Sequence, residues 1–173
     1  MQKDHSAHRP SSQHYPLCYL AIDIRTPTNV GGLFRIADAL AIEKIYLAGN
    51  SLTPPNSKLR KISRSTEKHV AYAYKENALE TARHLKSLGY RLVCLEITSS
   101  SIELDQLSVG AQDRICLVLG SEKDGIPHEL LALADATVHI PMYGTNSSMN
   151  VAAACAIATY DITGKLRRAG VQL

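Results

Sequence analysis

The sequence predicts an α/β fold: a mostly parallel sheet with helices on both of its faces. Three observations carry this. Strand-like runs alternate with helical segments almost from end to end. The strand-like runs are continuously apolar, as in LCYLAIDI, YRLVCLEIT and RICLVLG, which is the mark of strands covered on both sides. A length of 173 residues suits one compact unit with one sizeable core, and no internal repeat divides it.

The elements follow in order. The segment 1–16, MQKDHSAHRPSSQHYP, has no apolar centre, so it reads as a flexible tail and not as a signal peptide. A single domain is expected over 17–173. Leu17–Ile24 predicts a buried strand, and RTPTNVGG turns the chain. In GLFRIADALAI, Leu33, Ile36, Ala37 and Leu40 fall at helical spacing, with Asn29 placed to cap the helix. KIYLAG is a short strand ended by glycine, and NSLTPPNS is a loop. KLRKISRSTEK is basic and partly helical. HVAYAYK alternates as a strand does. ENALETARHLKSLG is a helix with Leu79, Ala82 and Leu85 inward and Gly89 closing it. After the strands YRLVCLEIT and RICLVLG, PHELLALA starts a helix at a proline. ATVHI is the last strand. An alanine-rich helix then follows Ser148, read as its N-cap, with Asn150 in the first turn. Val151–Ala158 is small and apolar on every side, so it is buried or packed against another chain.

Composition narrows the function classes. A net charge of +3 does not by itself call for a polyanion. Cys18, Cys94, Cys116 and Cys155 are far apart and each lies in an apolar run, so they read as buried thiols in a reducing cytoplasm, with no metal site. No apolar run approaches the roughly 20 residues that span a bilayer. A GxGxxG fingerprint is absent. GSEKDGIP has phosphate-loop glycine spacing, but Ile126 and Pro127 stand where Lys and Ser/Thr would hold phosphate and magnesium. What remains is a loop of backbone amides with one acid, Glu122.

In open parallel sheets, ligands bind beyond the carboxyl ends of the strands. Three loops qualify: Arg25–Gly32, Gly120–Ile126 and Pro141–Ser147. The first leads to Arg35, which lies off its helix's apolar stripe and, alone, reads as a solvated arginine. The third lies against the start of the last helix, whose dipole and free amides favour a polar ligand.

Together these segments resemble the three motifs of the SPOUT superfamily, in its SpoU/TrmH branch of RNA ribose 2′-O-methyltransferases. NVGGLFRIADALAI is similar to the first motif, with Asn29 and Arg35. LVLGSEKDGIP is similar to the second, with Gly120 and Glu122. IPMYGTNSSMNVAAA is similar to the third, with Ile140, Pro141, Met142, Gly144, Ser148 and Asn150. Two positions depart: Ala152, where family members often have serine, and Met149, where leucine is commoner.

The resemblance implies a C-terminal trefoil knot, a homodimer, and S-adenosylmethionine as the methyl donor for a ribose 2′-hydroxyl. The donor would lie against Leu95, Gly120, Ile140, Met142, Ser148 and Met149. Arg35 would position phosphate and ribose and stabilise developing charge, because a guanidinium is too basic to take a proton readily. It can lie near the partner subunit's donor. Asn29, Ser148 and Asn150 would orient the groups around it, and Glu122 would fix its loop or Arg35. RNA is the implied partner, tRNA somewhat before rRNA. Arg60, Lys61 and Arg64, flanked by Lys58 and Lys68, are the phosphate-contact candidates; Arg25, Lys165, Arg167 and Arg168 are weaker ones. Two alternatives stay open: an RNA- or cofactor-binding protein without turnover, and an RNA base methyltransferase.

Overall fold

A computed structural model describes residues 11–173 of the chain. The first ten residues of the expected tail lie outside the described residues. Tyr15 and Pro16, assigned to that tail, open the first strand instead.

The described residues form one seven-stranded sheet in the order β3-β2-β1-β6-β4-β7-β5, with every strand pair parallel. The strands are β1 (Tyr15–Ile22), β2 (Ile42–Ala48), β3 (Tyr72–Lys75), β4 (Tyr90–Leu95), β5 (Ile102–Glu103), β6 (Arg114–Leu119) and β7 (Ala136–His139). The helices are α1 (Pro27–Ala39), α2 (Ser57–Ser63), α3 (Ala78–Ser87), α4 (His128–Leu133) and α5 (Val151–Arg168). No helix is long and apolar enough to cross a membrane among the described residues.

The continuous apolar runs have the expected cause. On β1, Leu17, Tyr19 and Ala21 join the core under α1, α2 and α5, while Cys18, Leu20 and Ile22 join a second core under α3 and α4. Side chains alternate across a strand, so two covered faces need apolar residues at every position. Each fully buried leucine here contributes about 1.5–3 kcal/mol. The four cysteines are all buried and free. One polar pair enters the first core: Tyr19 Oη and Thr159 Oγ1 lie 2.7 Å apart, each satisfying the other.

Two caps differ from expectation, and both differences matter for the site. Helix α1 starts at Pro27, with Thr26 as N-cap accepting from the Asn29 amide at 3.3 Å. This frees the Asn29 side chain. Helix α5 is capped by Asn150, not Ser148; its Oδ1 accepts from the amides of Ala152 (3.0 Å) and Ala153 (3.2 Å). The α5 end therefore offers a ligand fewer free amides than its sequence suggests.

The glycines of α1 permit close approach of the chain's own helices. A Cβ on Gly31 would lie 2.8 Å from Ile62 Cγ2 of α2, and one on Gly32 would lie 3.0 Å from Ala152 Cβ of α5. The alanine-rich α5 is not wholly buried. Ile157 is 45% exposed and Tyr160 68% exposed, and both lie beside a cleft of about 440 Å³ with Ala156 and Gly164.

Candidate active site

Gly120 follows β6, and the next six residues fold back over the strand end. The Gly125 amide donates to the Ser121 carbonyl at 2.9 Å, and the Asp124 amide to Ser121 Oγ at 3.0 Å. A Cβ on Gly120 would sit 2.3 Å from the Gly125 carbonyl carbon, so backbone occupies the space of a side chain. Gly125 itself has φ +65°, a conformation glycine adopts at little cost. Glu96, just beyond β4, braces this turn: one carboxylate oxygen accepts the Ile126 amide at 3.1 Å, the other the Ile97 amide at 3.0 Å. Sequence pattern does not single out Glu96; its only signal is an acid closing the apolar run YRLVCL.

The third loop, after β7, brings Ser148, Met149 and Asn150 against this turn. Asn150 is the junction. While its Oδ1 caps α5, its Nδ2 donates to Asn29 Oδ1 and to Glu122 Oε1, each at 2.8 Å. One amide thus ties together three segments separated by up to 121 positions in sequence. Asn29 is only 5% exposed, so its oxygen depends on this bond. The Glu122 carboxylate is bonded to Asn150. Arg35 stands exposed on α1 and, among the described residues, makes no side-chain hydrogen bond or ion pair.

A cleft of about 710 Å³ opens where these loops meet, lined by Leu95, Gly120, Glu122, Ser148, Met149 and Asn150 among others. A narrower cavity of about 110 Å³ adjoins it through Leu95, Ser148 and Met149, and adds Ile140, Met142 and His139. All six residues expected to hold a donor line one or both. Arg35 and Asn29 line neither. Clefts of about 770 and 990 Å³ lie elsewhere, so size does not pick out this site; the convergence of the three loops does.

No cysteine among the described residues lines either cavity. Burial, then the charges of Glu96 and Asp135, pushes the Cys94 thiol up to about 12, which keeps it neutral. Among the described residues, no group of three His, Cys, Asp or Glu is placed to hold a metal ion. The cleft joins apolar walls at Leu95, Ile140, Met142 and Met149 to a polar edge at Ser148, Asn150 and Glu122. Apolar walls with a few convergent polar groups are the general make-up of a small-molecule site.

The basic segment has its own geometry. Asn56 caps α2 by accepting from the amides of Lys58 (3.0 Å) and Leu59 (2.9 Å). Leu59 points into the core, which leaves Lys58, Arg60, Lys61 and Arg64 exposed. Glu67, the one acid there, accepts from Ser63 Oγ and, among the described residues, makes no ion pair with the row. Arg25 is exposed beyond β1. Lys165 differs from expectation as a phosphate contact. Its Nζ bonds the Leu104 carbonyl at 2.6 Å and lies 2.6 Å from Asp161, and its side chain is 13% exposed.

The sequence profile of the SpoU rRNA Methylase family matches residues 16–160. The tRNA (guanosine(18)-2'-O)-methyltransferase of Escherichia coli (strain K12) is 26% identical over 153 residues, 87% of this chain and 64% of that protein. The chain thus spans less than two thirds of that relative's length. Among solved structures, the A. aeolicus TrmH/SpoU tRNA modifying enzyme superposes with a TM-score of 0.80 at 23% identity, covering 91% of this chain and 79% of that one. The SpoU methyltransferase AviRb from Streptomyces viridochromogenes, in complex with the cofactor AdoMet, superposes with a TM-score of 0.79 at 22% identity, covering 96% and 66%.

Proposed function

From the premise that this chain belongs to the SpoU rRNA Methylase family, we propose that it transfers a methyl group from S-adenosylmethionine to a ribose 2′-hydroxyl of RNA. The observation that carries the reading is the Asn150 junction, which ties Asn29, Glu122 and the start of α5 around one cleft. The two apolar-walled cavities that share Leu95, Ser148 and Met149 support a bent nucleoside as occupant. When bound, the donor supplies a methyl carbon activated by a positively charged sulfur.

The chain's own residues do the rest. Leu95, Ile140, Met142 and Met149 clamp the nucleoside and exclude water. Gly120 lets the motif-two turn close over it. Asn150 holds Glu122 and α5 in register, and Ser148 on the open rim orients the ribose. A ribose hydroxyl is a weak nucleophile at neutral pH, so a residue must organise it as its proton leaves. Arg35 is assigned that work: it binds the adjoining phosphate and stabilises charge growing on the 2′-oxygen.

In a single protomer Arg35 is exposed and lines neither cavity, and the Ile157–Tyr160 strip of α5 is bare. Both features support a homodimer in which that strip is covered and the partner's Arg35 reaches the cleft. A trefoil knot in the C-terminal segment belongs to the same reading, as does a cytoplasmic location. The exposed row on α2 supplies phosphate contacts. The likeness to proteins acting on tRNA supports tRNA ahead of rRNA as substrate.

Arg35→Ala tests the assignment. Methyl transfer should fall by at least about 100-fold, the size of losing one charge-stabilising donor, while donor affinity measured by calorimetry stays within about twofold. Turnover close to that of the unsubstituted protein would refute it.

A further inference from the structure

His139 closes β7 and lines the narrower cavity with Leu95, Ile97, Ile140, Met142 and Met149. Its Nδ1 lies 3.0 Å from Ser101 Oγ. The Ser101 hydroxyl is already engaged twice: it donates to the Thr98 carbonyl at 2.9 Å and accepts the Thr98 amide at 3.0 Å. A hydroxyl has one proton and two lone pairs. With the proton given to Thr98 and one lone pair filled, Ser101 has only an acceptor site left for His139. In the arrangement with that proton on Thr98, Nδ1 carries the imidazole proton and Nε2 of the neutral ring is a bare acceptor.

The surroundings narrow what that acceptor can meet. The lining is apolar except for Glu96, His139 and Ser148. Both Glu96 oxygens are occupied by the amides of Ile97 and Ile126. Two side-chain acceptors are then left in a slot of about 110 Å³ whose walls suit a flat apolar ring: the His139 imidazole, carried on the strand, and the Ser148 hydroxyl, which is exposed on the open rim. The backbone of His139 is fixed from outside by its pairing with Glu103 on β5, so the ring is carried on a strand and not on a loop.

We propose that His139 recognises the adenine of the methyl donor, accepting a hydrogen bond at Nε2 from the exocyclic amine. Ser101 is the positioning residue that fixes the required tautomer. The inference rests on the reading of this cleft as the S-adenosylmethionine site. It also explains why an acceptor serves here: adenine presents a donor at position 6, whereas guanine presents an oxygen.

The test is calorimetry on the full chain with S-adenosylhomocysteine and with its analogue carrying hydrogen in place of the 6-amino group. One hydrogen bond to the amine corresponds to a preference of about tenfold for the natural ligand. His139→Ala should bind both with less than about a threefold difference. Ser101→Ala, which leaves the ligand contact in place, should keep only part of the preference. The unsubstituted comparison needs no variant, so a misfolded His139→Ala leaves the test intact. Nitrogen NMR adds a second readout: His139 in the free protein should be protonated at Nδ1, and its Nε2 resonance should shift when S-adenosylhomocysteine binds. Equal binding of the two ligands by the unsubstituted protein, or a preference retained in His139→Ala, would overturn the proposal while leaving the donor reading intact. Failure of the unsubstituted protein to bind either ligand would overturn both.

Discussion

Asn150→Ala removes four hydrogen bonds at once, and the burial of each partner sets the rough cost of losing it. Losing the cap on the Ala152 and Ala153 amides costs about 1 kcal/mol. Losing the Nδ2 donor leaves the buried oxygen of Asn29 unpaired, a further 1–3 kcal/mol, roughly. Glu122 is exposed and regains water, so the bond to it adds little. The sum is about 2–4 kcal/mol. At roughly 2–4 °C per kcal/mol for a chain of this size, the midpoint should drop by about 4–16 °C. Asn150→Asp separates the two roles. The introduced carboxylate still caps α5, and the Asn29 amide can turn to donate to it, so the stability loss should be about half as large or less. It also faces the Glu122 carboxylate across a former 2.8 Å contact, so the motif-two turn is pushed away and methyl transfer collapses. Adding Glu122→Gln gives that contact a donor again and should recover donor binding in the double variant. Circular dichroism melts, calorimetry with S-adenosylhomocysteine and a methyl-transfer assay read these outcomes. If Asn150→Asp unfolds as readily as Asn150→Ala, or the double variant recovers nothing, the junction is not what holds the site together.

Other perturbations have equally definite outcomes. Gly120→Ala drives a methyl into the Gly125 backbone, 2.3 Å away; donor binding should fall below detection, and unchanged calorimetry would contradict the interlock. Replacing Arg60, Lys61 and Arg64 by glutamine should lower the slope of log affinity for RNA against log salt by roughly 0.7–0.9 for each phosphate that is no longer neutralised, without changing donor affinity; an unchanged slope removes α2 from the RNA surface. Asp135 gives a pH test of stability. Burial alone would raise its carboxyl, but bonds from Lys86 and the Leu92 amide outweigh burial and hold it below the usual range. Its contribution is therefore complete above the unfolded carboxyl value of about 3.9 and disappears as pH falls through the lower native value. Asp135→Asn should melt lower than the unsubstituted chain at about pH 7, and the two midpoints should converge as the pH is taken down toward about 2; a gap that stays constant would refute the assignment.

The layered α/β architecture was legible because burial on both faces writes itself into continuous apolar strands such as Leu17–Ile22. Strand order was not: nothing local tells β6 to enter between β1 and β4, since that choice belongs to contacts far apart in sequence. Edge strand β5 has only two residues, too few for any period. The caps went astray for a specific reason. Thr26, Thr28 and Asn29 are all good capping types, as are Ser148 and Asn150, and propensity alone does not rank neighbours. Pro27, favoured at the first helical position, was the signal that decides the first case. Asn29, Glu122 and Asn150 stood out as cap or loop residues and resemblance made them motif residues, but their mutual bonding needed coordinates. Glu96 and His139 carried no motif and emerged only as neighbours of the cleft.

Where the methyl goes is the most direct measurement. The full chain, incubated with methyl-labelled S-adenosylmethionine and unmodified tRNA and rRNA transcripts, should place label in RNA that survives alkaline digestion as dinucleotides, because a methylated 2′-oxygen cannot attack the neighbouring phosphate. Label released in mononucleotides would mean base methylation, and RNA left unlabelled would mean that the cleft formed by Gly120, Met142 and Asn150 does not transfer a methyl group; either result contradicts ribose methylation at this site.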